Sequence, residues 1–144
     1  MSSSDKKWNL PLSGKKKFFA TLFFHCLFGV IDKKIFDIVF EGFIDQLDIN
    51  SEQPDLVVHD KKSGFKPVVL VEFCSKDNEN DVLKTAKIMC HIYGIPESFI
   101  YNLESKKWYK FSRAGEEESV ASYSDFIEIN LNRILQDSLK YYAS

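Results

Sequence analysis

The run Pro67-Val-Val-Leu-Val-Glu-Phe73 constrains this chain more than any other stretch of it. Four consecutive aliphatic side chains, Val68 to Val71, cannot alternate between core and solvent. The segment therefore reads as a strand buried on both faces, and other elements must cover both sides of its sheet. Just upstream lies a second apolar segment, Pro54-Asp-Leu-Val-Val-His59, and Asp60-Lys-Lys-Ser-Gly64 between the two is a hairpin turn signal. A four-residue loop over 62–65 would pair Lys61 with Lys66 and carry the register on to Asp55 opposite Glu72. Directly opposed residues share a face, with Cβ atoms about 4.5–5.5 Å apart.

The flanking segments supply the covering layers. From Lys15, the residues Phe19, Leu22, Phe23, Cys26, Leu27 and Val30 recur at the spacing of a helix face, which Phe18, Phe24 and Phe28 widen. Ser13 is a candidate cap for this helix, and His25 within it reads as a core or boundary histidine. Val82, Ala86, Met89 and Tyr93 predict a second helix from about Asn78, with Asp77 or Asn78 as cap and Gly94 as left-handed terminator. Ser98–Leu103 and Lys107–Ser112 read as a second hairpin, and Leu131, Ile134, Leu135, Leu139 and Tyr142 as a last helix. The stretch 35–49 is β-rich, with a break at Gly42, and 115–118 is a loop. This order predicts a loose arm over 1–13 and one α/β domain over 14–144, a mixed sheet flanked by helices.

Composition narrows the function. At 144 residues the chain fits one domain, and thirteen Phe are expected to fill its core. A net charge of −2 argues against a protein that coats nucleic acid through charge alone, although lysines cluster at 15–17, 33–34, 61–62 and 106–107. Cys26, Cys74 and Cys90 show neither metal spacing nor a disulfide framework, which points to a reducing, cytoplasmic setting. The apolar run Phe18–Ile31 is shorter than the roughly 20 residues of a membrane span, and no cleavage site follows it.

The chemistry resides in Asp55 and Glu72. A carboxylate beside an apolar run is costly unless it is paired, hydrogen-bonded or bound to a metal. Two of them side by side repel, and a divalent cation relieves that. Mg²⁺ accepts one or two carboxylates together with waters and phosphate oxygens, and it can activate water for phosphodiester displacement. The alternative is a salt bridge from either acid to Lys76, Lys84 or Lys87. Lys84, Lys87 and His91 form a polar stripe on the second helix. A lysine there could neutralise transition-state charge, or the stripe is simply a solvated face.

These residues together resemble a known pattern. Pro54-Asp55, Val71-Glu72-Phe73-Cys74-Ser75, Asp81 with Lys84, and Gly94-Ile95-Pro96-Glu97 look like the PD-(D/E)XK nuclease superfamily, and more narrowly its Uma-type branch of restriction-endonuclease-like proteins. The resemblance covers roughly Phe36 to Phe111. It implies a restriction-endonuclease-like core, with Asp55, Glu72 and the backbone carbonyl of Phe73 as ligands of Mg²⁺ (or Mn²⁺). The catalytic lysine would have migrated to the helix, as Lys84 or Lys87. Position 74, the lysine of the usual motif, is Cys here, and the N-terminal helix offers no acid as a further ligand.

The expectation is thus a Mg²⁺-dependent nuclease acting on DNA, or alternatively on RNA, with no membrane association. Two other classes stand beside it. One is an inactive nuclease-fold module that binds nucleic acid. The other is a protein-interaction module or homodimer that docks through exposed aromatics at Trp108-Tyr109 and Tyr141-Tyr142.

Overall fold

A computed structural model describes residues 12–41, 54–112 and 121–143. Its elements are α1 (Leu12–Val30), β1 (Phe36–Phe40), β2 (Leu56–Asp60), β3 (Lys66–Cys74), α2 (Glu79–Tyr93), β4 (Glu97–Asn102), β5 (Lys107–Ser112), β6 (Tyr123–Ser124), β7 (Ile129–Asn130) and α3 (Leu131–Ala143). The Val-rich strand β3 is the middle of a five-stranded sheet ordered β1-β2-β3-β4-β5. Its pairing with β4 is parallel, while the other three ladders of that sheet are antiparallel. A parallel neighbour needs a crossover, and α2 provides it.

Burial on both faces of β3 follows from its sequence. Val69, Val71 and Phe73 pack with Phe99 and Tyr101 of β4 under Phe23 and Leu27 of α1 and Leu131 and Leu135 of α3. On the other face Leu70 and Val57 meet Met89 and Cys90 of α2, and Cys74 meets Ala86, Ile100 and Phe111. Each fully buried aliphatic or aromatic side chain contributes about 1.5–3 kcal/mol relative to exposure. The expectation that the Phe residues fill the core holds only in part: Phe19, Phe23, Phe73, Phe99 and Phe111 are buried, whereas Phe28, Phe65 and Phe126 are exposed.

The first hairpin departs from expectation at its turn. Leu56, Val57 and Val58 oppose Val71, Leu70 and Val69, but His59 and Asp60 oppose Pro67 and Lys66, with a β-bulge beginning between Val58 and His59. Val68 is the extra residue, and Pro67 has no N–H to offer a ladder. The connection is therefore one residue longer than the four-residue loop, and Lys66 pairs with Asp60, not Lys61. A 3-10 turn over Lys61–Ser63 fills it, held by the Asp60 carboxylate, which accepts from the Lys62 N–H at 3.0 Å and the Ser63 hydroxyl at 2.8 Å. Gly64 follows at φ 76°, the left-handed backbone that favours glycine. The bulge restores the count, so the register running toward Asp55 and Glu72 is the expected one.

Other expectations are adjusted. Ser13 lies inside α1 instead of capping it. Asn78 holds the N-cap position of α2, but its Oδ1 accepts from the Ser75 N–H and hydroxyl at 2.9 and 3.1 Å, not from the helix. Gly94 does close α2, at φ 62°, with its N–H donating to the Cys90 carbonyl. Trp108 is no docking residue: it packs against Phe23 and Tyr101, and its Nε1–H donates to Asn132 Oδ1 at 3.0 Å. Tyr109 is likewise partly buried beside Val82 and Leu83. The arm expected over 1–13 gives way to α1 at Leu12, and the rest of it, with the expectations for 42–49 and 115–118 and for the Tyr141 and Tyr142 side chains, falls outside the described residues. His25 is exposed on α1. Among the described residues no helix is long and apolar enough to cross a membrane.

The small β6–β7 hairpin had no sequence signal. It is held to the sheet by the buried Glu97–Lys110 ion pair, which the exposed Asp125 joins from the hairpin. Lys110 Nζ of β5 lies 3.0 Å from Glu97 Oε2 of β4 and 3.2 Å from Asp125 Oδ2, and it donates to the Tyr123 carbonyl at 2.9 Å. Glu97 also accepts from the Ser124 hydroxyl at 2.6 Å and the Asp125 N–H at 2.8 Å.

Candidate active site

Strand alternation sends Asp55 and Glu72 to the same face. Leu56, Val58, Val69 and Val71 point toward α1 and α3, so their neighbours Asp55 and Glu72 turn toward α2. The pair is cross-linked through backbone. Asp55 Oδ2 accepts from the Phe73 N–H at 2.8 Å, and Glu72 Oε1 accepts from the Asp55 N–H at 3.3 Å. The two carboxylates therefore stand together at the end of the sheet. They open into a cleft of about 300 Å³ whose far wall is Asn78, at the N-cap of α2, with Asp81, Thr85 and Met89 of the helix itself.

The cation in this cleft comes from the other side of the sheet. Lys16 of α1 places its ammonium 3.4 Å from Asp55 Oδ1. None of the lysines singled out in sequence as partners takes that place. Lys87 lies over the Phe111 ring at 5.0 Å, on the flank of α2 away from β2. Lys84 is exposed, and neither helix lysine lines the cleft. Lys76 is also exposed, with its N–H donating to Glu104. A helix advances about 100° per residue, so Thr85, which faces the carboxylates, turns the Lys84–Lys87–His91 stripe to one side. Sequence reasoning missed Lys16. The available signal was that Lys16 alone extends the buried line Ala20, Phe23, Leu27 toward the start of α1.

Burial raises the Asp55 carboxyl above its ordinary value, opposed by the Phe73 N–H and by Lys16. A carboxyl raised in this way binds its proton more tightly folded than unfolded. Its contribution to stability is present at acid pH and is lost as pH rises through its folded titration. At neutral pH the ionised Asp55 is then a burden in metal-free protein. Asp55→Asn is expected to raise the melting temperature in chelator and to remove that part of the pH dependence, as read from thermal melts across pH. A lower melting temperature for Asp55→Asn would mean that the Lys16 and Phe73 contacts outweigh burial.

The donor set suits a small hard cation. Among the described residues there is no cluster of three or more His, Cys, Asp and Glu side chains that could hold a metal. Mg²⁺ does not require one, since one or two carboxylates suffice when water and phosphate complete the shell. Cys74 is two residues from Glu72 on the same face, and burial pushes its thiol up to about 11, so it stays protonated and inert.

The mixed five-stranded sheet and the helices that cover both its faces define an α/β fold. No family model matches the chain, and no curated protein matches it in sequence. Among solved structures it is similar to a protein from Anabaena variabilis ATCC 29413 described as "a putative nuclease belonging to DUF820". The TM-score is 0.58 at 13% identity, over 96% of this chain and 99% of that one. DUF820 is the Uma-type family. The restriction-endonuclease-like fold implied by the sequence resemblance is thus the fold of this chain.

Proposed function

We propose that this chain is a Mg²⁺-dependent nuclease that hydrolyses phosphodiester bonds of DNA, with RNA as the alternative substrate. The observation that carries this reading is the convergence of Asp55 and Glu72 in a cleft beside Lys16. Asp55, Glu72 and the Phe73 carbonyl would hold Mg²⁺ or Mn²⁺, which supplies an activated water and charge neutralisation at the scissile phosphate. Lys16 fixes Asp55 in position and adds positive charge where phosphate oxygens approach. The Phe73 N–H holds the Asp55 carboxylate against rotation. Thr85 offers a hydroxyl to water or phosphate across the cleft. We place the protein in the cytoplasm, where its three free cysteines stay reduced.

A second reading, a nuclease-fold module that binds nucleic acid without cutting it, is favoured by Cys74 at the usual lysine position and by the divergence of Lys84 and Lys87 from the acids.

Cleavage of single- and double-stranded DNA and RNA in Mg²⁺, Mn²⁺ or chelator separates the two. A lysine series identifies the working cation. Lys16→Ala is expected to lower the rate roughly 10²-fold, the scale for losing one preorganised stabilising group. Lys84→Ala and Lys87→Ala are expected to stay within about fivefold of the parent, as changes of at most 1 kcal/mol at exposed charges imply. The reverse ranking would restore the helix lysine implied by the resemblance. A parent inactive on every substrate would leave the binding module.

A further inference from the structure

A second cavity lies at the same end of the sheet as the acids, on the opposite face. It holds about 580 Å³ between the starts of α1 and α3, under the β4–β5 turn. That is ample for a small organic ligand. Phe73 and Tyr101 are paired across the parallel β3–β4 ladder, so the cavity wall at Tyr101 sits one strand from the residue that follows Glu72. On α1, Lys16 reaches Asp55 while its neighbour Lys15 lines this cavity. One turn of helix thus borders both places.

The lining combines three chemistries. Phe19, Tyr101 and Leu139 give flat and apolar walls. Asn132 and Gln136, successive on one face of α3, bring amide groups. Asn132 Oδ1 accepts from the Trp108 N–H at 3.0 Å, which fixes the orientation of its amide. Lys15 and Lys106 add positive charge, with Glu104 the acid among them. Apolar walls, amide donors and acceptors, and cations suit a heterocyclic base with its phosphate. Among the described residues, the acid-bearing cleft, by contrast, sets one cation, Lys16, against three acids, Asp55, Glu72 and Asp81. Phosphate attraction there is weak, and a substrate needs binding energy from elsewhere.

We propose that this cavity is a nucleobase subsite. It takes an unpaired base of the strand whose phosphate lies at Asp55 and Glu72, and the substrate class is single-stranded or locally unpaired nucleic acid. The proposal rests on the nuclease reading for the phosphate and on the cavity's own chemistry for the base. A duplex keeps its bases stacked inward, whereas a single strand can insert one past the sheet end.

The test uses the full chain in chelator, so that binding is read without cleavage. Fluorescence anisotropy compares a labelled single-stranded hexanucleotide, the same hexanucleotide with abasic positions, and a duplex. We expect the abasic strand to bind roughly tenfold or more weakly than the intact one, in the range seen for loss of a stacked base, and the duplex to bind more weakly as well. Gln136→Ala combined with Lys106→Ala, both at exposed positions, is expected to erase the difference between intact and abasic strands while leaving the melting temperature unchanged. Equal affinity for intact and abasic strands overturns the subsite, as does a variant that discriminates like the parent. If base-dependent binding holds and no metal brings on cleavage, the subsite stands and the nuclease reading fails.

Discussion

Glu72→Gln is expected to lose Mg²⁺-dependent cleavage by on the order of a thousandfold while folding as well as the parent. The substitution keeps shape and leaves an amide oxygen that can still accept from the Asp55 N–H, now 3.3 Å from Glu72 Oε1. What it removes is the charge that would share the ion with Asp55. A bound metal supplies several kcal/mol of transition-state stabilisation, and each 1.4 kcal/mol is a factor of ten in rate. Because both acids would serve one ion, Asp55→Ala with Glu72→Gln should be no worse than either change alone. Calorimetric titration with Mg²⁺ or Mn²⁺ gives an independent readout: the parent binds at millimolar ion and both variants do not. Cleavage that survives in Glu72→Gln or in chelator would place the chemistry elsewhere.

The largest expected loss of stability lies away from the cleft. Glu97 and Lys110 are each 5% exposed, and their charges are buried together 3.0 Å apart. Removing one partner of a buried pair destabilises by about 3–5 kcal/mol, since the other charge is left behind. Glu97→Ala also takes the acceptor from the Ser124 hydroxyl and the Asp125 N–H. The expected effect is therefore at the upper end of that range, or a fall in melting temperature of roughly 10 °C or more for a chain of this size. Burial alone would lower the Lys110 ammonium, but Glu97 and Asp125 outweigh it and raise it. A raised lysine contributes in full at every pH below its unfolded value of about 10.4, and its contribution is lost as pH rises through the folded value. Denaturation at neutral pH therefore reads the whole effect. A loss under about 1 kcal/mol would show that the cluster merely tolerates burial and does not anchor β6–β7.

What was legible in the sequence is local in the chain. The Val68–Val71 run and the turn at Asp60–Gly64 fix a hairpin, and a hairpin brings Asp55 to Glu72 without further information. The helix spacing of Val82, Ala86 and Met89 places α2 over that hairpin. Which flank of α2 adjoins β2 is set by packing between distant elements, so the lysine stripe at 84, 87 and 91 could not be aimed from periodicity. Lys16 was hidden for the same reason. The line of Ala20, Phe23 and Leu27 runs on to Lys16 and leaves Lys17 exposed, but nothing in that spacing says that an acid on another element stands at its end. The β6–β7 hairpin escaped notice because two-residue strands have no periodicity to read. Its anchor is ionic, made by Glu97 and Lys110 from two strands whose alternation otherwise suggests ordinary core.

The bulge between Val58 and His59 separates the two halves of the central hairpin in a way that bears on kinship. On the site side, a slip of one residue would turn Leu56, Val58, Val69 and Val71 away from α1 and α3, so that register is rigid. On the turn side the odd residue is already absorbed. One more or one fewer there can be accommodated by reshaping the 3-10 turn without moving either acid. The interval of 17 residues between Asp55 and Glu72 is therefore an accident of this chain's turn. Proteins built on the same plan would be recognised by the two strands and the acid that each carries, and a search that fixed the distance between them would pass many by.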